Sequence, residues 1–261
     1  LFDRHIEKLY AAYARMLKSM AQSSKAQQSG KYKKMQELLA GLEEYGCLEE
    51  ELYRDSDFLI SLGGDGTLLG VGRKSAPYGT PILGINLGTL GFLTAEEKNH
   101  AEYAIDKVLA GDYKMEKRMM LQATIATDME RIEGILALND ICITRGLLYK
   151  ILEFNIYVNE EYVDTLRADG VIICTPTGST AYNLSAGGPV LKADAQIIAI
   201  TPISAHTLTS RSIVVSADDV VTVEINPREE ADFTVSADGQ DAWTLTGKKV
   251  VQVKRAKEYA S

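Results

Sequence analysis

The sequence predicts an α/β amino-terminal domain built on a parallel sheet, followed by a β-rich, sandwich-like domain. Apolar strand runs and helical patterns alternate up to Gly111, as in a sheet covered on both faces. From residue 114 onward short β-branched runs separated by turns take over. A glycine-rich turn, "GGDGTLL", follows the first apolar run, where a strand hands over to a helix.

Each element can be justified in order. Phe2, Ile6, Leu9, Tyr13, Met16, Leu17 and Met20 recur at helical spacing and give one apolar stripe. After the polar stretch "AQSSKAQQSGKYKK", Met35, Leu38, Leu39 and Leu42 mark a second helix, stopped near Gly46. Phe58 to Leu62 reads as a buried strand and "GTLLGVGRKS" as the helix after it. "TPILGIN" repeats the strand pattern, and "EEKNHAEYAIDKVLAGDY" reads as a helix ending at Gly111. Then "QATIAT", "GILALNDICIT", "EFNIYVN", "GVIICT", "QIIAIT", "SIVVS", "VVTVEIN", "FTVSA" and "KKVVQVKRA" read as strands. A boundary near residue 112 gives domains 1–112 and 113–261, with the last strand or tail free to return to the first. The echo of "VSADD" at 215 in "VSADG" at 235 is too short for an architectural repeat and reads as two similar turns.

Composition narrows the function classes. A chain of 261 residues with 46% hydrophobic residues supports a packed core. A net charge of −8 argues against nucleic acid as a partner. Cys47, Cys142 and Cys174 form no C-x-x-C pair, which predicts a reducing compartment, the cytoplasm by default. No apolar run reaches bilayer length and no basic-then-apolar leader opens the chain, so no membrane partner is expected. His5, His100 and His206 are too scattered for a metal site or a triad, and Trp243 is expected in the core or an interface.

Three segments carry chemistry. In "GGDGTLL", the N–H groups at a helix start favour phosphate, and glycines let a ligand approach the main chain. Neither G-x-G-x-x-G nor G-x-x-x-x-G-K-[ST] is present. A lone Gly-Asp-Gly is commonly a tight turn with the acid capping the helix. Three glycines around Asp65 favour instead a carboxylate that accepts a proton from a hydroxyl or holds Mg²⁺, hence phosphoryl transfer.

"RADGVIICTPTGSTAYNLSAGGPV" runs from a charged turn through a buried strand into hydroxyls and glycines, a shaped pocket rather than a surface loop. "ALNDICIT" places Asn139 and Asp140 side by side in an apolar strand, pointing to opposite faces; a bulge or turn is the competing reading. An Asn with a carboxylate suits the vicinal hydroxyls of a ribose.

With these segments together the sequence resembles the NAD kinases. "GGDGTLL", "LNDI" and "DGVIICTPTGSTAYNLSAGGP" match family motifs, as do "GINLGTLGFL" and "VSADGQ", in the same order from about residue 55 onward. A lone GGDG is shared with phosphofructokinases and diacylglycerol-type lipid kinases; the third motif is the specific one. The resemblance implies an NAD kinase-like fold and transfer of the γ-phosphate of ATP to the 2′-hydroxyl of the adenosine ribose of NAD. It implies Asp65 as catalytic base, with Gly63, Gly64, Gly66 and Thr67 lining the phosphate path. It implies NAD contacts from Asp65, Gly66, Asn139, Asp140, Asp169, Thr180, Ala181, Tyr182 and Ser185, and from Lys150, Arg167 and Gln240. Mg²⁺ or another divalent cation would arrive with ATP, no metal would be held by the protein alone, and the partners would be NAD, ATP and further copies of the chain in a tetramer or dimer.

The alternatives are a dinucleotide sensor without catalysis, or another GGDG-type kinase acting on a lipid or sugar. Family members normally open with an apolar strand and a short turn. None precedes "FDRHIEKLYAAY", so residues 1–50 are expected to match only the family's helices.

Overall fold

The computed structural model describes residues 48–88, 91–127, 131–146, 152–207, 209–225, 232–246 and 249–261. The two helices expected before residue 47, together with His5, Cys47 and Lys150, lie outside the described residues.

The first described elements are helix α1 (Glu49–Asp55), strand β1 (Leu59–Gly63), helix α2 (Asp65–Ser75) and strand β2 (Ile82–Asn86). A two-residue strand β3 (Glu96–Glu97) and helix α3 (Ala101–Leu109) follow. β1, β2 and β3 form a parallel sheet in that order. The helix expected over 96–113 is therefore shorter, because Glu96 and Glu97 pair with Ile85 and Asn86 before it starts. Helix α3 ends just before Gly111, whose φ of 75° is the left-handed turn that glycine permits.

The remainder is antiparallel. Strands β4 (Arg118–Ala126), β5 (Arg131–Ala137), β6 (Asp140–Arg145), β7 (Leu152–Val158), β8 (Glu161–Ala168) and β9 (Gly170–Cys174) come first. A 3₁₀ turn at Thr177–Thr180 and a one-turn helix α4 (Tyr182–Ser185) follow β9. Then come β10 (Ile197–Ile203), β11 (Ile213–Ser216), β12 (Val221–Ile225), β13 (Asp232–Ala237), β14 (Asp241–Thr246) and β15 (Lys249–Ala260). They build two six-stranded sheets, ordered β11-β10-β9-β6-β13-β14 and β5-β4-β15-β12-β7-β8. Both contribute to one core: Ile141, Ile143, Val171 and Ile173 from the first meet Phe154, Ile156, Val221 and Val223 from the second. Alternation makes this possible, since Val221, Val223 and Ile225 are buried while Thr222 and Glu224 are not. Trp243 is partly buried against the same core.

Two strands, β8 and β14, are absent from the sequence reading. Each is an edge strand, and in β8 the charged residues Glu161, Asp164 and Arg167 hide the alternation. The stretch "GILALNDICIT" is two strands, not one. Leu138 and Asn139 form a bend at which the chain leaves the second sheet and enters the first. The end of β15 returns to α2: Ala256 and Ala260 pack with Leu69 and Ala76, and the Ile82 N–H donates to the Ser261 carbonyl at 2.8 Å.

β9 is buried throughout because both its faces are covered. Val171 and Ile173 point into the main core, while Ile172 and Cys174 pack with Cys142, Ala199, Ala186 and Leu191. The segment after β9 therefore folds back over the sheet's outer face, which places the third motif beside Asp140.

Candidate active site

Asp65 opens helix α2, with Gly64 as the extended residue before it. Its carboxylate accepts hydrogen bonds from the backbone N–H groups of Phe92 (2.8 Å) and Leu93 (3.1 Å). The "GFL" loop thus clamps the acid against the helix start, and the side chain stays half-buried. Gly91 makes the clamp possible, for a Cβ there would lie 2.1 Å from Asp65 Oδ1. Gly63 is needed for a similar reason: its Cβ would meet Thr67 Oγ1 at 2.3 Å. At the start of α2 the Thr67 N–H donates to the Gly64 carbonyl at 3.0 Å, while the helix N-terminus as a whole, with Gly64 and Gly66 bare of side chains and the Thr67 hydroxyl beside them, favours anionic oxygens. The α2 turn of this kind demands glycine on one side for packing and on the other for access.

Asn139 and Asp140 are both buried, at 8% and 5% exposure. They sit at the bend between β5 and β6 and at the first residue of β6, not side by side within one strand. Asn139 Oδ1 is buried with no hydrogen-bond partner among the described residues, an acceptor the fold leaves unpaired. Burial, and then the nearby Asp238 carboxylate, push the Asp140 carboxyl up to about 7. Cys174 lies directly across from Asp140, and burial pushes the Cys142 and Cys174 thiols up to about 12, so both are inert.

The third motif is braced against this bend. Thr175 N–H donates to the Asn139 carbonyl at 2.8 Å and its hydroxyl to the Leu138 carbonyl at 2.6 Å. Gly178 passes so close that a Cβ would lie 2.2 Å from the Asn139 carbonyl oxygen. Ala181 N–H donates to the Gly178 carbonyl at 2.9 Å, closing the turn that carries Thr180, Ala181 and Tyr182. Asn183 is buried and holds the returning chain through the Ser179 and Pro189 carbonyls, while the Thr201 hydroxyl donates to its Oδ1. The Tyr182 hydroxyl is held protonated above its usual range by burial and then by Cys142, Asp140 and Asp169. That places all four in one electrostatic neighbourhood. Ser185 closes α4 and is exposed.

Of the remaining expected residues, Gln240 donates to the Gly66 carbonyl and accepts from Arg73 at 3.0 Å, joining the β13–β14 turn to the glycine turn. Asp169 lies at the start of β9, paired with Arg145 Nε at 2.9 Å. Arg167 is exposed on edge strand β8, its Nε 3.4 Å from Glu153 Oε1, and no contact links it to the other expected residues among those described. Three residues, Gly91, Asp238 and Arg73, escape sequence reasoning. Gly91 sits in "GINLGTLGFL" and Asp238 in "VSADGQ", so those motifs carried the signal without its meaning. The hydroxyl density of the third motif was the signal for Thr177, whose buried hydroxyl has no partner among the described residues. Arg73 had no signal.

Known proteins resemble this chain in both sequence and fold. The ATP-NAD kinase N-terminal domain model matches residues 4–113 and the ATP-NAD kinase C-terminal domain model residues 138–261. The chain is 50% identical over 221 residues to the NAD kinase of a Thermoanaerobacter species, covering 85% of this chain and 78% of that one. It is 46% identical over 218 residues to the NAD kinase of Moorella thermoacetica, covering 83% and 69%. Among solved structures, an Archaeoglobus fulgidus NAD kinase in complex with ATP superposes with a TM-score of 0.71 at 29% identity, covering 90% of this chain and 89% of that one. A yeast NADH kinase complexed with NADH gives a TM-score of 0.76 at 28% identity, over 83% of this chain and 64% of the yeast chain. Two domain models that together span most of the sequence, and relatives half identical to it, lead to one conclusion: the chain belongs to the NAD kinase family.

Proposed function

We propose that Asp65 is the base of this kinase, taking the proton of the 2′-hydroxyl of the adenosine ribose of NAD as its oxygen attacks the γ-phosphorus of ATP. The new bond joins ribose oxygen to phosphorus, the bond to the bridging oxygen breaks, and ADP leaves with that oxygen. What supports this reading is the Asp65 clamp: a carboxylate fixed at a helix start by two N–H groups, yet half-buried rather than sealed. Gly63, Gly64, Gly66 and Thr67 line the phosphate path, and the first-turn N–H groups of α2 offset charge on the transferred group. Asn139, Asp140, Asp169, Thr180, Ala181, Tyr182, Ser185 and Gln240 hold the dinucleotide in this reading, with Lys150 and Arg167 as further contacts. Mg²⁺ would enter with ATP as part of the donor substrate and would supply positive charge against the transferred phosphoryl group.

The division into 1–112 and 113–261 belongs to the same proposal, with NAD in the cleft between the parts. So does assembly into a dimer or tetramer, supported by the exposed apolar side chains Tyr182, Leu184 and Val190 beside the site. Among the described residues no helix is long and apolar enough to cross a membrane, and Cys142 and Cys174 are free thiols. We place the protein in the cytoplasm on those grounds.

The test incubates the protein with NAD and MgATP and detects NADP with an enzyme that accepts only NADP. Asp65→Asn is expected to lose turnover while still binding NAD. Turnover close to that of the parent protein would remove Asp65 from the role.

A further inference from the structure

We propose that Asp238 is a positioning residue for the dinucleotide corner, and that with Arg73 and Gln240 it forms a strut fixing that corner against the glycine turn. The inference rests on the reading of Asn139 and Asp140 as dinucleotide contacts given above.

The Asp238 side chain is fully buried, and its backbone has a φ of 52°, a left-handed conformation that non-glycine residues adopt where the surroundings fix it. Its Oδ1 accepts from the N–H groups of Asn139 (2.7 Å) and Asp140 (3.1 Å), and its Oδ2 from that of Leu138 (3.0 Å). Three consecutive N–H groups around one carboxylate fix the bend where the chain changes sheets. The Asp238 N–H returns the contact, donating to the Asp140 carbonyl at 3.0 Å. Burial pushes the Asp238 carboxyl up, while those three N–H groups and Arg73 pull it down.

The strut continues through helix α2. Arg73 Nε lies 3.5 Å from Asp238 Oδ2 and its Nη1 2.8 Å from Asp241 Oδ2. Its Nη2 donates to Gln240 Oε1, and Gln240 donates to the Gly66 carbonyl in the first turn. Contacts therefore run unbroken from Leu138–Asp140 to the residue after Asp65. One hairpin turn sets the acceptor's corner and the donor's turn relative to each other. Loosening it leaves the orphan Asn139 Oδ1 free to turn from its ligand. Asn cannot replace Asp here, because its amide offers one acceptor oxygen and turns N–H donors toward the other N–H groups and Arg73.

The test uses the full chain and three variants, Asp238→Asn, Arg73→Met and Asn139→Ala, measuring kcat, KM for NAD, KM for ATP and thermal midpoint. Asp238→Asn is expected to raise KM for NAD about tenfold, with KM for ATP changed by less than about twofold. Arg73→Met should act in the same direction, raising KM for NAD about threefold. A residue with only a structural role would lower the midpoint and the active fraction but leave both KM values alone, and that result overturns the proposal. Should Asp238→Asn fail to fold, an unchanged KM for NAD in Arg73→Met overturns it equally. An Asn139→Ala variant with normal KM for NAD sinks the reading of the corner and this proposal with it. A raised KM there beside normal values in the other two sinks the strut alone.

Discussion

Gly91→Ala separates the chemistry of Asp65 from the stability of the fold. An alanine Cβ at this position would lie 2.1 Å from Asp65 Oδ1, 2.4 Å from Cγ and 2.6 Å from Oδ2. Restoring an ordinary contact near 3.4 Å moves the carboxylate, or the loop, by about 1 Å. The easiest escape is for Asp65 to swing away, which breaks the bonds from Phe92 and Leu93 but disturbs no buried core. Losing those bonds at a half-exposed acid costs about 1 kcal/mol of stability, because water replaces the donors. A misplacement of about 1 Å at a reacting centre costs about 100-fold in rate, ~2.7 kcal/mol of transition-state stabilisation. Steady-state NADP formation should therefore show kcat reduced about 100-fold, with KM for NAD nearly unchanged and a thermal midpoint within a few degrees of the parent's. A kcat within about threefold of the parent's would refute the argument that the clamp sets the position of the acid.

Three further outcomes follow from the site. Asp140 faces Asp238, Cys174, Cys142 and Tyr182, and its carboxyl is pushed up to about 7 by burial first and Asp238 second. Because the fold holds this proton more tightly than the unfolded chain does, the contribution is complete below about pH 4 and is lost as pH rises through about 7. Asp140→Asn should thus gain thermal midpoint on the parent between about pH 4 and about pH 7, and parallel curves across that window would contradict this. Thr177→Val removes a buried hydroxyl that has no protein partner, so stability should hold or rise by about 1 kcal/mol in a denaturant titration while KM for NAD rises several-fold. A loss of stability would show that the hydroxyl has a partner in the fold. Gly178→Ala drives a Cβ to within 2.2 Å of a backbone oxygen, which cannot rotate away as a side chain can. It should destabilise the protein by about 1–3 kcal/mol and shift NAD binding with it; a normal midpoint would show that the bend yields.

How much of this was legible depended on what each residue's neighbours contribute. β1, α2 and β2 could be read because an apolar run, three glycines and a helical pattern agree locally. The Asn139–Asp140 pair was visible as polar residues in an apolar stretch, but the change of sheet between them was not. That break depends on what β5 and β6 pair with, and pairing is non-local. The clearest case is the echo of "VSAD" at 215 and 235. Both copies are turns between strands, as expected. Asp218 in the first is 76% exposed at its side chain and pairs with Arg255 at the surface. Asp238, in the equivalent place, is fully buried and holds three backbone N–H groups. Identical local sequence gives opposite roles because Arg73 and the 138–140 bend lie across from one turn and solvent from the other.

The same reasoning distinguishes the four acids of the site, which composition treats alike. A base must be ionised near neutral pH and must keep a lone pair free for the hydroxyl proton. Asp238 keeps its charge-stabilising partners on both oxygens and is sealed from any substrate. Asp169 faces Arg145 at 2.9 Å, a pairing that occupies one of its oxygens. Asp140 is buried, and burial with the Asp238 carboxylate pushes its carboxyl up to about 7, so it is ionised only in part near neutral pH. Asp65 alone combines two fixed N–H donors with partial exposure, and a carboxylate has about four lone-pair sites. Two donors orient it and leave acceptor capacity facing the cleft; a third, as at Asp238, would have made it another strut.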